Sequence, residues 1–145
     1  MPLNNEFKVK DANLLNALTL AFIGDAVFEI YVRGIAVTRI PGARVNKLHR
    51  VCAAAVNAAS QAELLAAIES KLNETELNVV QRGKNSKPHS VPKNAKIEDY
   101  LHATAFEALI GYLELSGLYE RQSEILELCR DKIESFIDNA NKVIK

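Results

Sequence analysis

The chain predicts an all-helical fold. Glycine and proline are scarce, at six and four in 145 residues. Where they occur, they separate long segments whose apolar residues recur at helical spacing. Leu14, Leu15, Leu18, Phe22, Ala26, Ile30 and Val32 form a wide apolar stripe on a first helix, predicted to run to about Arg33 with Gly34 as its stop. Pro41 and Gly42 make a turn before a second helix, roughly Ala43 to Ala59. Ser60 with Glu63 reads as a capping box opening a short third helix through Leu64, Leu65 and Ile68, and Asn73 with Glu76 repeats the pattern for a fourth that ends near Arg82 and Gly83. From Gly83 to Lys96 the chain carries two prolines and no apolar period, which predicts a long loop. A fifth helix spans about Ile97 to Leu115, with Leu101, Ala105, Ala108, Leu109, Tyr112 and Leu113 inward and Ser116-Gly117 ending it. A last helix, about Tyr119 to Val143, sets Ile125, Leu128, Cys129, Ile133, Phe136 and Ile137 at i, i+3, i+4.

Composition bounds the rest. With 48% hydrophobic and 25% charged residues, the chain balances like a globular protein able to bury one core, so a single domain over residues 1–145 is expected. Basic and acidic residues are 18 each, so net charge points to no partner, and any steering must come from how charge is distributed. Cys52 and Cys129 lack metal or redox spacing and read as small buried hydrophobes of a reducing cytoplasm. The first residues show no basic segment followed by an apolar run and a small-residue cleavage site, so export is not expected. The most apolar stretch, Leu14 to Val32, is interrupted by Asn16, Asp25 and Glu29, which fits a buried core helix better than a membrane span.

Two acids sit where helices normally bury apolar groups: Asp25 in A-F-I-G-D-A-V-F-E, and Glu107 in A-T-A-F-E-A-L-I-G-Y. Their Gly, Ala, Phe and Ile neighbours predict carboxylates in or near the core, each needing a partner, a cap or a metal. A structural salt bridge or a bond to a helix end satisfies that need as well as a catalytic site does.

The two motifs, in this order and about eighty residues apart, resemble the paired signatures of the ribonuclease III catalytic domain. The short chain and the basic segment R-G-K-N-S-K-P-H-S-V-P-K-N between them resemble one branch of that family, Mini-ribonuclease III, which lacks a double-stranded RNA-binding domain. The resemblance runs from about Asn13 to Tyr119, with the last helix, about 119–143, appended. It implies a homodimeric, Mg²⁺-dependent endoribonuclease of double-stranded RNA, with Mn²⁺ as a substitute ion and a large-subunit ribosomal RNA precursor as the natural target. Asp25 and Glu107 are then the catalytic and metal-binding acids, since Mg²⁺ prefers oxygen ligands, keeps several waters and is held by only one or two carboxylates.

The wider family carries a glutamate four residues before the Asp25 position and an aspartate three before the Glu107 position. Here these are Ala21 and Thr104, which argues against a site held by four carboxylates. It also leaves open a different reading, a catalytically silent RNA-binding or ribosome-associated protein with the same fold. A helical adaptor would leave the basic loop unexplained. Thr104 is placed to bond a metal-bound water or, alternatively, its own helix carbonyl.

Arg82, Lys84, Lys87, Lys93 and Lys96, with His89 and no acid among them, form a local excess of positive charge in a neutral chain. This is either a solvated loop or an arm that tracks phosphates, with Asn85, Ser86, His89, Ser90 and Asn94 able to reach 2′-hydroxyls and base edges. Arg44, Lys47, His49 and Arg50 form a second basic cluster at the start of the second helix. Cations there oppose the helix dipole, so either an anionic partner or surface ion pairs must compensate. Glu29, one turn beyond Asp25, reads as a salt-bridge or interface residue, and His102 has no case as a ligand.

Overall fold

The structure, a computed structural model, describes residues 7–87, 90–91, 93 and 96–144. Among them are six α-helices: α1 (Ala17–Arg39), α2 (Val45–Val56), α3 (Ala58–Ile68), α4 (Glu74–Lys84), α5 (Ile97–Leu115) and α6 (Tyr119–Val143), with short 3₁₀ turns at Ala12–Leu14 and Glu69–Lys71. No strand lies among the described residues, so the all-helical expectation holds.

Helix α5 is the spine. From Ala103 to Leu115 every residue except Glu107 is buried, because α1, α3 and α4 all pack against it, while α6 closes over α2 and α3. A helix apolar all round belongs in the middle of a bundle. Helices α5 and α6 have the predicted bounds. Helix α4 opens with the predicted capping box, in which Asn73 Oδ1 accepts the Glu76 N–H at 2.9 Å and Glu76 Oε1 accepts the Asn73 N–H at 3.0 Å.

Elsewhere the expected bounds change. Helix α1 passes through Gly34 to Arg39, because Ile35 and Ala36, the next two residues, are buried and outweigh the propensity cost of one glycine, about 1 kcal/mol. The predicted second helix breaks at Asn57, whose side chain accepts the Ser60 N–H and caps α3. The Ser60–Glu63 box therefore does not form, and the Ser60 hydroxyl instead donates to the Ala54 carbonyl at 2.6 Å. Helix α4 keeps Gly83 and Lys84, so the loop starts at Asn85.

Much of the apolar stripe read on α1 faces outward, although Val32 is buried and Leu15 packs against the core. Leu20, Val27, Phe28, Val32 and Ile35 carry the core side, whereas Leu14, Phe22, Ala26 and Ile30 are exposed, Phe22 by 77%. Both cysteines are free and buried, which pushes each thiol above its ordinary range, Cys129 to about 12. No single helix among the described residues is long and apolar enough to cross a membrane.

Candidate active site

The site begins with two glycines. A Cβ on Gly24 of α1 would overlap the Glu107 carbonyl oxygen, and one on Gly111 of α5 would overlap that of Leu20. Only hydrogen fits at either point, so the two backbones touch where the helices cross. One turn along, Phe28 meets Phe106 edge-on at 5.1 Å, fixing the rotation of each helix. Asp25, next to Gly24, is thereby brought within hydrogen-bonding reach of Glu107.

The two acids differ in depth. Glu107 is largely covered, as its apolar neighbours predict, but Asp25 is exposed, because it lies on the side of α1 turned away from the core. Burial, a hydrogen bond shared with Asp25 and the charge of Asp25 push the Glu107 carboxyl up to about 8. Glu29 adds a smaller effect in the same direction while it is ion-paired with Arg33 at 3.3 Å. Neither Asp25 nor Glu107 is ion-paired with a lysine or arginine among the described residues. Two facing acids without a basic partner are a poor way to stabilise a fold and a good way to hold a cation.

Sequence reasoning missed Gln61. It is 3% exposed on the inner face of α3, in helical register with Leu64, Leu65 and Ile68. Its Nε2 donates to Glu107 Oε2 at 3.3 Å and to the Val56 carbonyl at 2.8 Å. The signal that could have found it was an amide at a position where the apolar period calls for an aliphatic side chain. Val56, Ala58, Gln61, Tyr100, Ala103, Thr104 and Glu107 line a recess of about 190 Å³ beside the acids.

The positions without the wider family's acids are both buried. Ala21 packs in the core, and the Thr104 hydroxyl donates to the Tyr100 carbonyl at 3.0 Å, the alternative in which it bonds its own helix. No cluster of three or more His, Cys, Asp or Glu suited to a metal occurs among the described residues. The donor set that remains is two adjoining carboxylates with oxygen ligands only. That fits Mg²⁺, or Mn²⁺ in its place, with water or phosphate completing the shell.

The basic residues divide. Arg82 lies in α4 and is committed to the fold, its guanidinium donating to the backbone carbonyls of Asn13 and Leu15, the latter at 2.9 Å. Lys84, also helical, is ion-paired with Glu69 at 2.7 Å. Asn85, Lys87, Lys93 and Lys96 are exposed, while His89 and Asn94 lie outside the described residues. Arg44 is the N-cap of α2 and supplies no side-chain cap, and the first turn of α2 holds no acid. Arg44, Lys47, His49 and Arg50 form no ion pair with a described carboxylate, so surface ion pairs do not account for the cluster.

Residues 18–118 match the ribonuclease III domain family model. The chain is 47% identical over 125 residues to the Mini-ribonuclease 3 of Brevibacillus brevis, covering 86% of this chain and 92% of that protein. To the Mini-ribonuclease 3 of Clostridium tetani it is 43% identical over 126 residues, covering 87% and 83%. A Fusobacterium nucleatum protein of known crystal structure superposes with a TM-score of 0.73 at 30% identity, covering 88% of this chain and 98% of that one. The chain therefore belongs to the ribonuclease III family, and within it to the Mini-ribonuclease 3 branch.

Proposed function

We propose that this protein is an endoribonuclease that cuts duplex RNA with a divalent cation, Mg²⁺ or Mn²⁺, held between Asp25 and Glu107. The reading is supported above all by the Gly24–Gly111 crossing, which sets two carboxylates together with no basic side chain to neutralise them. A cation bound there supplies Lewis-acid polarisation of the scissile phosphate and an activated water. Asp25, the more exposed acid, and Glu107, more covered and tied to Gln61, would together hold the cation. The product ends are a 5′-phosphate and a 3′-hydroxyl.

Duplex binding rests on charge placement. Lys96 caps α5 eleven residues before Glu107, which is about 16 Å along the helix axis. Lys96, with the exposed Lys87 and Lys93 of the same segment, would hold phosphates away from the scissile one, while Arg44, Lys47, His49 and Arg50 would present a second cationic surface.

Cutting both strands in one encounter needs two sites related by a two-fold axis, hence a homodimer. The outward apolar face of α1, with Phe22, Ile30 and Val37, supports this, continuing into Val45 of α2. Phe28 and Tyr31 of the same helix do not belong to that face: Phe28 is fully buried, and the Tyr31 hydroxyl donates to the Leu126 carbonyl at 3.3 Å. The buried, unpaired cysteines suit the cytoplasm, and the resemblance carried by the two acid motifs implies a large-subunit ribosomal RNA precursor as substrate.

Incubating the protein with long double-stranded RNA, with and without Mg²⁺, tests the core of this reading. Discrete shortening only with the cation is expected. Duplex binding without cleavage, with Mg²⁺ or with Mn²⁺, would favour the catalytically silent relative instead. Light scattering should return a dimer mass at micromolar concentration, and a fully active monomer would remove the two-fold argument.

A further inference from the structure

We propose that Gln61 is a positioning residue of the site, a rigid bracket that holds the Glu107 carboxylate turned toward Asp25 so that one cation meets both acids. This rests on the reading of Asp25 and Glu107 as the metal-binding pair.

The bracket is built from the α2–α3 corner. The last carbonyls of a helix lack partners within it, and here three polar side chains supply them. Asn57 Nδ2 donates to the Ala53 and Ala54 carbonyls at 3.1 and 3.2 Å, the Ser60 hydroxyl to Ala54 at 2.6 Å, and Gln61 Nε2 to Val56 at 2.8 Å. Only Gln61 goes further, placing its second amide hydrogen on Glu107 Oε2 at 3.3 Å. The Val56 carbonyl can only accept, so the amide nitrogen must be the atom that faces it, and Glu107 Oε2 lies within reach of that same nitrogen.

This orientation leaves the Gln61 Oε1 buried and without a partner among the described residues. A role confined to capping α2 does not explain that cost, because a shorter polar residue reaches a helix-end carbonyl without burying a spare oxygen. The length of glutamine is what spans from Val56 to Glu107. Groups that orient a metal-bound carboxylate act in this way, and their loss typically weakens metal affinity about 10- to 100-fold.

The test uses the full chain in three forms: wild type, Gln61→Met, which keeps volume and removes both bonds, and Ser60→Ala, which removes a tie to the same corner without touching Glu107. Mn²⁺ binding to the RNA-free protein is measured by calorimetry, and the Mg²⁺ concentration for half-maximal cleavage is measured alongside it. Gln61→Met should raise both constants about 10- to 100-fold, with cleavage partly recovered at high Mg²⁺. Ser60→Ala should lower the melting temperature and leave both constants where they are. A Gln61→Met protein that binds Mn²⁺ like wild type, or a Ser60→Ala protein that loses metal to the same degree, overturns the proposal and leaves only a corner that stiffens the fold.

Asp25→Asn identifies which reading fails. If it also binds Mn²⁺ like wild type, the metal pair itself is wrong and the bracket falls with it. If it loses the ion and Gln61→Met does not, the bracket alone is wrong. Should Gln61→Met fail to fold, the side-chain amide of Gln61 in ¹⁵N-glutamine-labelled wild type is followed by NMR. Its two proton signals should shift on Mg²⁺ addition, and unmoved signals overturn the proposal.

Discussion

Glu76 and Glu107 are both withdrawn from water in one small helical core, and their surroundings are opposite. Glu76 is 1% exposed, accepts the Asn73 N–H at 3.0 Å and is gripped by Arg121 through two nitrogens at 2.9 Å. Burial pushes its carboxyl upward, but Arg121 and the Asn73 N–H outweigh burial and hold it below the usual carboxylate range. Glu107 keeps more solvent access than Glu76, yet it faces another acid and is driven up to about 8. Depth alone thus says little about what a buried acid is for. A charge balanced inside the chain is structural, and one left for something outside the chain to balance marks a site.

The sharpest way to break this contrast is to neutralise each acid. Asp25→Asn and Glu107→Gln should each cut duplex RNA about 10³-fold more slowly or worse, the scale of losing a principal electrostatic element of a transition state. Both should still fold, dimerise and bind duplex, and the metal-free Glu107→Gln protein should melt no lower than wild type at pH 8 and above, where an ionised Glu107 would face Asp25 and the amide removes that repulsion. A variant that melts far lower yet cuts at the normal rate per folded molecule would turn Glu107 into a second Glu76. Glu76→Gln should do the reverse. It removes the charge that two Arg121 nitrogens grip, though Glu124 and the Lys71 carbonyl still hold Arg121, and costs about 1.5–3 kcal/mol, a fall of roughly 3–12 °C for a domain of this size, with turnover per folded molecule within about twofold.

Acidity should separate the same pair in the metal-free protein. The folded-state value for Glu107 lies above its unfolded value of 4.5, so the folded form binds the extra proton between about 4.5 and 8, and stability falls as pH rises through that window. Glu76 has a lowered value, so its contribution is present above 4.5 and is lost as pH falls below it. Thermal melts from pH 4 to 9 in chelator should show the high-side decline in wild type. Glu107→Gln should abolish it, and saturating Mg²⁺ should reduce it. A flat profile from pH 5 to 8 in wild type would mean that Asp25 and Glu107 do not share a site.

How far the sequence reveals this depends on which forces act locally. Helices α5 and α6 are bounded where predicted because Ser116-Gly117 and the apolar period agree, and Asn73–Glu76 forms the predicted box. The α2–α3 break was hidden in an alanine-rich run, where propensity is uniform and one Asn57 cap sets the boundary. Which face of α1 turns inward was not legible, since the helix is apolar on both sides and tertiary packing on α5 decides. Asp25 and Glu107 stood out as charges among apolar neighbours. Gln61, uncharged, did not, and the role of Gly24 and Gly111 as the meeting point that joins the two acids is a long-range fact with no local signature.

The smallest effect expected concerns the basic segment, where the structure separates residues that the sequence had grouped. Lys87, Lys93 and Lys96 are exposed, whereas Arg82 pins the carbonyls of Asn13 and Leu15. Replacing the three lysines with alanine should leave melting unchanged, because exposed charges contribute little to folding. Duplex affinity should fall roughly tenfold, and the slope of log affinity against log salt should flatten by about 1 for each phosphate no longer neutralised. Arg82→Ala should move the other observable: stability falls by about 1–3 kcal/mol as two backbone carbonyls lose their donor, and the salt slope stays where it was. The salt slope is the deciding measurement, since a misfolded fraction lowers apparent affinity without changing how many counterions each bound molecule releases. If Arg82→Ala flattened the slope and the triple variant did not, the cationic arm would begin inside α4, and the ties from Arg82 to the N-terminal carbonyls would have to give way when RNA binds.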